Sequence, residues 1–210
     1  MRTSLVIKGI LASAALAVPV LCNAESNFQT GAGTLTATAH VDFQITIPQF
    51  LFLRVGNGTG TAAGGYATLA AIDEITWAPT AAQVGTGSLA GTGGDLTGGV
   101  ETAVVVANGG IVTLSSTTTG ALSDGAAPPD TISFGTITTT ASHNTTGTTL
   151  LAPALADGAT TTISLTPVGK VVQQDAKWAY TYANATSPAA GTYGGINVRN
   201  GRVTYTASVA

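Results

Sequence analysis

Two histidines, ten carboxylates and a single cysteine are the first places in the chain to look for acid–base, metal or nucleophilic chemistry. His40 falls on the polar side of an alternating run, and His143 lies in a Ser-His-Asn-Thr stretch. They form no pair at metal-ligand spacing, and no third ligand accompanies either, so both read as solvent-facing side chains. Asp73-Glu74 is the one adjacent acidic pair and reads as two solvated loop carboxylates. Gly91-Thr92-Gly93-Gly94-Asp95 has the composition of a calcium-binding repeat but occurs once, without the recurring register that such solenoids need. No lysine follows its glycines, so it is no phosphate loop. No serine is framed by glycines as a nucleophile elbow requires. Asn57-Gly58-Thr59, Asn144-Thr145-Thr146 and Asn184-Ala185-Thr186 match the N-glycosylation sequon, a cheap match in a threonine-rich chain. Trp178, Tyr180 and Tyr182 share one parity with Tyr193 nearby; such rings stack on sugars, but the alternation favours packing in a sheet. Catalytic, cofactor-binding and metal residues are therefore expected to be none.

Met1–Ala24 reads as an export signal. Arg2 and Lys8 give a basic start, Ile10–Leu21 an apolar stretch, and Cys22-Asn23-Ala24 the small residues before cleavage. The alternatives are a retained N-terminal anchor and a lipoprotein acylated at Cys22. Cleavage after Ala24 leaves 25–210 as a single domain without cysteine, hence without disulfide or thiolate site. Five basic residues then stand against ten acidic ones, a net charge of −5. That balance excludes a phosphate-neutralising nucleic-acid surface, and no membrane span is expected after cleavage. Charged residues are only 8% of the chain, against roughly 25% in an average soluble domain, which suits packing against copies of itself.

The elements that must carry these residues are strands. From Thr34 to Pro48 one parity reads Leu35, Ala37, Ala39, Val41, Phe43, Ile45, Ile47, and the other is polar. Such alternation predicts a strand with one buried and one wet face, ended by Pro48. It is about fourteen residues long where five or six are usual. Either it crosses both sheets within one subunit, or it is shared between its own sheet and a neighbour's edge. Phe50–Val55 predicts a short strand, Tyr66–Ile72 an uncertain one, and Ile75 with Trp77 another. Residues 78–99 form a Gly/Thr/Ala-rich excursion. Val100–Ala107 and Ile111–Thr118 flank Asn108-Gly109-Gly110 and predict a hairpin. Thr131–Ala141 alternates with a bulge expected at Gly135. Thr160–Leu165, Trp178–Tyr182 and Val203–Ala207 complete the strands, and Pro153 weakens the one helical scrap, Leu151–Ala156. The prediction is an all-β antiparallel sandwich of about nine or ten strands with no substantial helix.

The signal, the Thr34–Pro48 and Phe50–Gly56 strands, and the closing Ala190-Gly191-Thr192-Tyr193-Gly194 and Arg202-Val203-Thr204-Tyr205-Thr206 resemble chaperone–usher fimbrial subunits and spore coat U-like proteins. That resemblance implies an Ig-like sandwich, a filament built by strand donation between copies, a periplasmic chaperone, an outer-membrane usher and a place on the cell surface. The chain departs from many fimbrial subunits in its lack of a disulfide and in ending Ser208-Val209-Ala210 after an inset Tyr205. The expected function is a secreted, non-enzymatic structural subunit. The alternative is a monomeric exported module that binds glycans or surfaces through loops such as 78–99. An outer-membrane barrel would need aromatic girdles that the sequence lacks.

Overall fold

The structure is a computed structural model that describes residues 25–56, 66, 71–145 and 147–209. The signal, the sequon at Asn57 and most of the Tyr66–Ile72 strand lie outside the described residues. The chain divides into two units, one up to Ile47 and one from Pro48 onward.

The second unit is all-β. Its strands are β1 (Leu51–Val55), β2 (Ile75–Thr76), β3 (Leu89–Ala90), β4 (Thr92–Gly93), β5 (Val100–Ala107), β6 (Val112–Thr117), β7 (Leu122–Ser123), β8 (Thr131–Ile132), β9 (Ile137–Ser142), β10 (Thr160–Leu165), β11 (Val172–Tyr182) and β12 (Thr204–Val209). The larger sheet runs β1-β5-β11-β3 with β9 on the other edge of β11, and the smaller runs β10-β6-β12. Every strand-to-strand ladder is antiparallel. The inward faces of both sheets meet in one core. Ala103, Val105, Ala107, Val172, Ala176 and Trp178 come from the larger sheet; Val112, Leu114 and Leu165 come from the smaller. This is a two-layer sandwich, as the period of two required.

β5 and β6 are not a hairpin. β5 pairs with β1 and β11, whereas β6 pairs with β10 and β12, so Asn108-Gly109-Gly110 carries the chain from one sheet to the other. The turn's polar groups are spent elsewhere: Asn108 bonds Pro48 and Phe50, and Gly110 N donates to Lys170 O. The Gln49 amide and a Val209 methyl lie over Gly109, so a side chain there would have to displace them. Two β-branched runs on either side of a turn do not distinguish a hairpin from an arch between layers: β5 is buried on both faces and β6 on one, and neither pattern names the strand alongside.

Gly135 is likewise no bulge. It lies in a 3-10 turn, Phe134–Thr136, capped by the Ser133 hydroxyl, which drops the Phe134 ring into the core before β9 begins. Leu151–Ala156 forms no helix, and its Pro153 is buried. Trp178, Tyr180 and Tyr182 all belong to the core. Trp178 is fully buried with its Nε1 donating to Leu150 O at 2.8 Å.

The outward face of the smaller sheet is uniform. Its three cross-strand rows read Thr160–Thr117–Thr204, Thr162–Ser115–Thr206 and Ser164–Thr113–Ser208. Every outward position there is a hydroxyl residue. β-Branched threonine fits the pleat, and its hydroxyl keeps the face wet without charge.

Candidate interaction surface

The alternating run Leu35, Ala37, Ala39, Val41, Phe43, Ile45, Ile47 lies in the first unit and is exposed along its whole length. Residues 34–47 belong to no strand and no ladder among the described residues. The strand with one buried face expected for Thr34–Pro48 is therefore corrected: both faces are open, with Phe43 89%, Ile45 86% and Ile47 74% exposed. The side chains meant for a core have no core in their own unit. His40 stands on the polar parity and its Nδ1 meets Glu25 Oε2 at 2.7 Å, an exposed pair.

The second unit has a complementary deficiency. β1 has one ladder neighbour, β5, and β12 has one, β6, so each leaves an edge unpaired among the described residues. β1 and β12 lie close to each other, one from each sheet. Their core-facing side chains, Leu51, Leu53, Val55, Tyr205, Ala207 and Val209, are only half-buried although they pack on the core. Interior β5 carries fully buried Ala103, Val105 and Ala107. The seam between the two edge strands is thus an incompletely covered side of the sandwich among the described residues.

Pro48-Gln49-Phe50 opens the second unit and is tied down by one residue, Asn108. Phe50 N donates to Asn108 Oδ1 at 2.8 Å, and Asn108 Nδ2 donates to Pro48 O at 2.8 Å. Asn108 N completes the set by donating to Phe50 O at 3.4 Å.

A buried carboxyl that the sequence reading missed lies at the other end of β1 and β5. Glu101 is 4% exposed and faces the core at the Gly56 end of the ladder. Asp73 and Glu101 both crowd the space where a Gly56 side chain would go, and Gly56 takes a positive φ. Burial pushes the Glu101 carboxyl up to about 8; the Asp95 backbone N–H, donating to Glu101 Oε2 at 3.3 Å, pulls it down, and the negative charges of Asp73 and Asp95 raise it further. The group is therefore a neutral acid at pH 7. Asp95 also accepts from Thr102 N at 2.8 Å and from the Thr102 hydroxyl, so the Gly91–Asp95 loop uses its carboxylate to close onto β5. Nothing in the sequence marks Glu101 beyond its position before a run of small apolar residues.

Among the described residues no group of three or more His, Cys, Asp or Glu is placed to hold a metal ion. His143 is exposed. Asn184 is buried, with its amide donating to Gln83 O and Gly87 O and accepting from Gly85 N. That sequon is closed to modification in the folded state. Asn144 donates to the fully buried Asp175. No helix among the described residues is long and apolar enough to cross a membrane. The chain matches no protein-family model, no curated protein and no solved structure.

Proposed function

We propose that the chain is an exported structural subunit that polymerises by strand sharing, each copy lending residues 34–47 to the β1/β12 seam of the next. The observation that carries this is the pairing of an excess with a deficit. One unit presents seven alternating apolar side chains with no sheet, and the other presents, among the described residues, the open edges of β1 and β12 over a half-covered core. An extended segment that adds to a sheet edge gains affinity from main-chain hydrogen bonds and register from alternate side chains. Burying each Val, Ile or Phe contributes roughly 1.5–3 kcal/mol, which adds to the main-chain hydrogen bonds in offsetting the cost of ordering the segment. The low content of charged residues lessens the repulsion that would keep copies apart. The resulting homopolymer belongs on the cell surface, and a periplasmic chaperone and an outer-membrane usher are the partners that would guard and order so apolar a segment.

Deletion of Thr34–Ile47, which removes all seven alternating apolar side chains, is the direct test. Electron microscopy of the purified exported chain is expected to show filaments, and the deleted form a soluble monomer with an intact β-sheet circular dichroism spectrum. Identical fibres from the deleted form would remove that segment from the assembly. A stable full-length monomer that binds glycans would favour the monomeric binding module instead.

A further inference from the structure

We propose that Asp42 of one copy pairs with Arg54 of the next, so that β1, and not β12, is the accepting edge and the donated strand takes a single register. The pairing rests on the strand-sharing reading above and adds to it which edge is used and what aligns the strand. Apolar side chains at a spacing of two do not set a register by themselves, since a slip of two residues again puts apolar beside apolar. A charge at one position does, because only one alignment brings it to its opposite.

Between Thr34 and Ile47 the one carboxylate is Asp42, exposed and on the polar parity. Strands β1 to β12 contain two basic residues, Arg54 and Lys177. Lys177 lies in β11, paired on both sides by β5 and β9. Arg54 lies in β1, whose second edge is open among the described residues. The outward side of β12 carries Thr204, Thr206 and Ser208, with no charge.

The Arg54 side chain is set up for a carboxylate. Leu51, Leu53 and Val55 pack on the core, so Arg54 stands on the outward face of the larger sheet. Its Nε and Nη2 are shielded from water and have no hydrogen-bond partner. These two nitrogens form one edge of the guanidinium, and such an edge grips a carboxylate through two parallel N–H···O bonds. Donors left unpaired away from water are costly, so the lone subunit carries an unmet demand at this position.

The main chain of β1 fits the same register. Asn108 N donates to Phe50 O, and Gly56 N donates to Thr102 O. Even-numbered positions of β1 therefore turn their main-chain groups toward β5, and those of Leu51, Leu53 and Val55 turn toward the open edge. A strand added there, antiparallel like the ladders of both sheets, with Asp42 opposite Arg54, sets Val41, Phe43 and Ile45 opposite Val55, Leu53 and Leu51. The apolar side chains then all fall on the core side and both charges on the outward side. Asp42 and Arg54 become a pair without mutual main-chain bonds, the kind whose side chains lie closest.

The experiment uses the exported chain cut after Ala24, which contains no cysteine of its own. Chains carrying Gln44→Cys are mixed with chains carrying Phe52→Cys, assembled and oxidised with diamide; Asp42 and Arg54 stay in place. In the proposed register positions 44 and 52 are opposite, at a Cα separation of about 4.5 Å, within the roughly 4.4–6.8 Å that a disulfide spans. Peptide mass spectrometry is expected to find the 44–52 crosslink about tenfold above that from Thr46→Cys with Phe52→Cys, or from Gln44→Cys with Thr206→Cys. Adding Asp42→Asn is expected to spread the crosslink over positions 44 and 46. In cysteine-free chains, Asp42→Lys and Arg54→Glu are each expected to lower filament yield about tenfold, and the double variant to restore it by re-forming the pair with signs exchanged. A dominant crosslink to Thr206→Cys would move the accepting edge to β12 and overturn the proposal while leaving strand sharing intact. Single charge variants that assemble at the parent yield would do the same. If Arg54→Glu does not fold, the crosslinks decide, since they leave Arg54 untouched. A parent chain that forms no polymer under any condition would take both readings down together.

Discussion

The hydroxyls of Tyr180 and Tyr205 meet at 3.1 Å, one from each layer of the sandwich. Tyr180 stands on β11 and Tyr205 on β12, and the Tyr205 ring also packs against Trp178 at a centroid separation of 5.2 Å. Burial holds both phenols above their ordinary range, that of Tyr205 at about 12, so the bond is between neutral groups at any working pH. Tyr205→Phe leaves the Tyr180 hydroxyl buried without that partner. A loss of about 1–2 kcal/mol is expected, read as a lower urea midpoint at unchanged slope.

Glu101 makes stability fall as pH rises. Its folded pKa, about 8, lies above the ordinary carboxyl value of 4.5. The contribution is complete below pH 4.5, diminishes between 4.5 and 8 as the unfolded chain alone gives up its proton, and is gone above 8. The slope from this one group is at most ~1.4 kcal/mol per pH unit. Glu101→Gln is expected to flatten the melting temperature across that window, with its largest gain over the parent near pH 9. A parent whose melting temperature rises steadily from pH 5 to pH 8 would contradict the neutral-acid assignment.

Phe43→Asp separates assembly from folding. The side chain is 89% exposed and touches no core, so the unfolding free energy of a dilute monomer is expected to change by less than the roughly 0.5 kcal/mol typical of surface changes. Filament yield is expected to collapse, because the same position would carry a charge into a neighbour's core. Equal filament yield would place the subunit contact elsewhere.

Trp178→Ala is expected to cost about 3–5 kcal/mol, since it empties the largest fully buried side chain and strands the Leu150 carbonyl. Chemical denaturation checks it, and a cost below about 1 kcal/mol would mean that the two layers are not held at that ring.

How far the sequence carried depends on what alternation records. It reports that a strand has one apolar and one polar face, and β6, β10 and β12, with the β-branched run of β5, were foreseeable near their observed bounds, whereas β11 was foreseen only over Trp178–Tyr182 of its Val172–Tyr182. It does not report which strand lies alongside. That is why Val100–Ala107 and Ile111–Thr118 read as a hairpin and fold as an arch. It equally does not say whether the partner is in the same molecule. Leu35 to Ile47 has a stronger alternating pattern than β12, yet is solvent-exposed on both sides. The single Asn108 amide and the Glu101 carboxyl were invisible because their importance comes from neighbours distant in the chain: Pro48 and Phe50 for one, Asp73 and Tyr205 for the other.

The three rows of serine and threonine on the smaller sheet have a final implication for environment. Ionic screening acts on charges, and that face has none to screen. Its hydration rests on neutral hydroxyls, which hold water in brine much as in fresh water. A fibre wearing this face outward would keep the same colloidal behaviour from dilute medium to seawater, where a lysine- and glutamate-coated one would begin to clump.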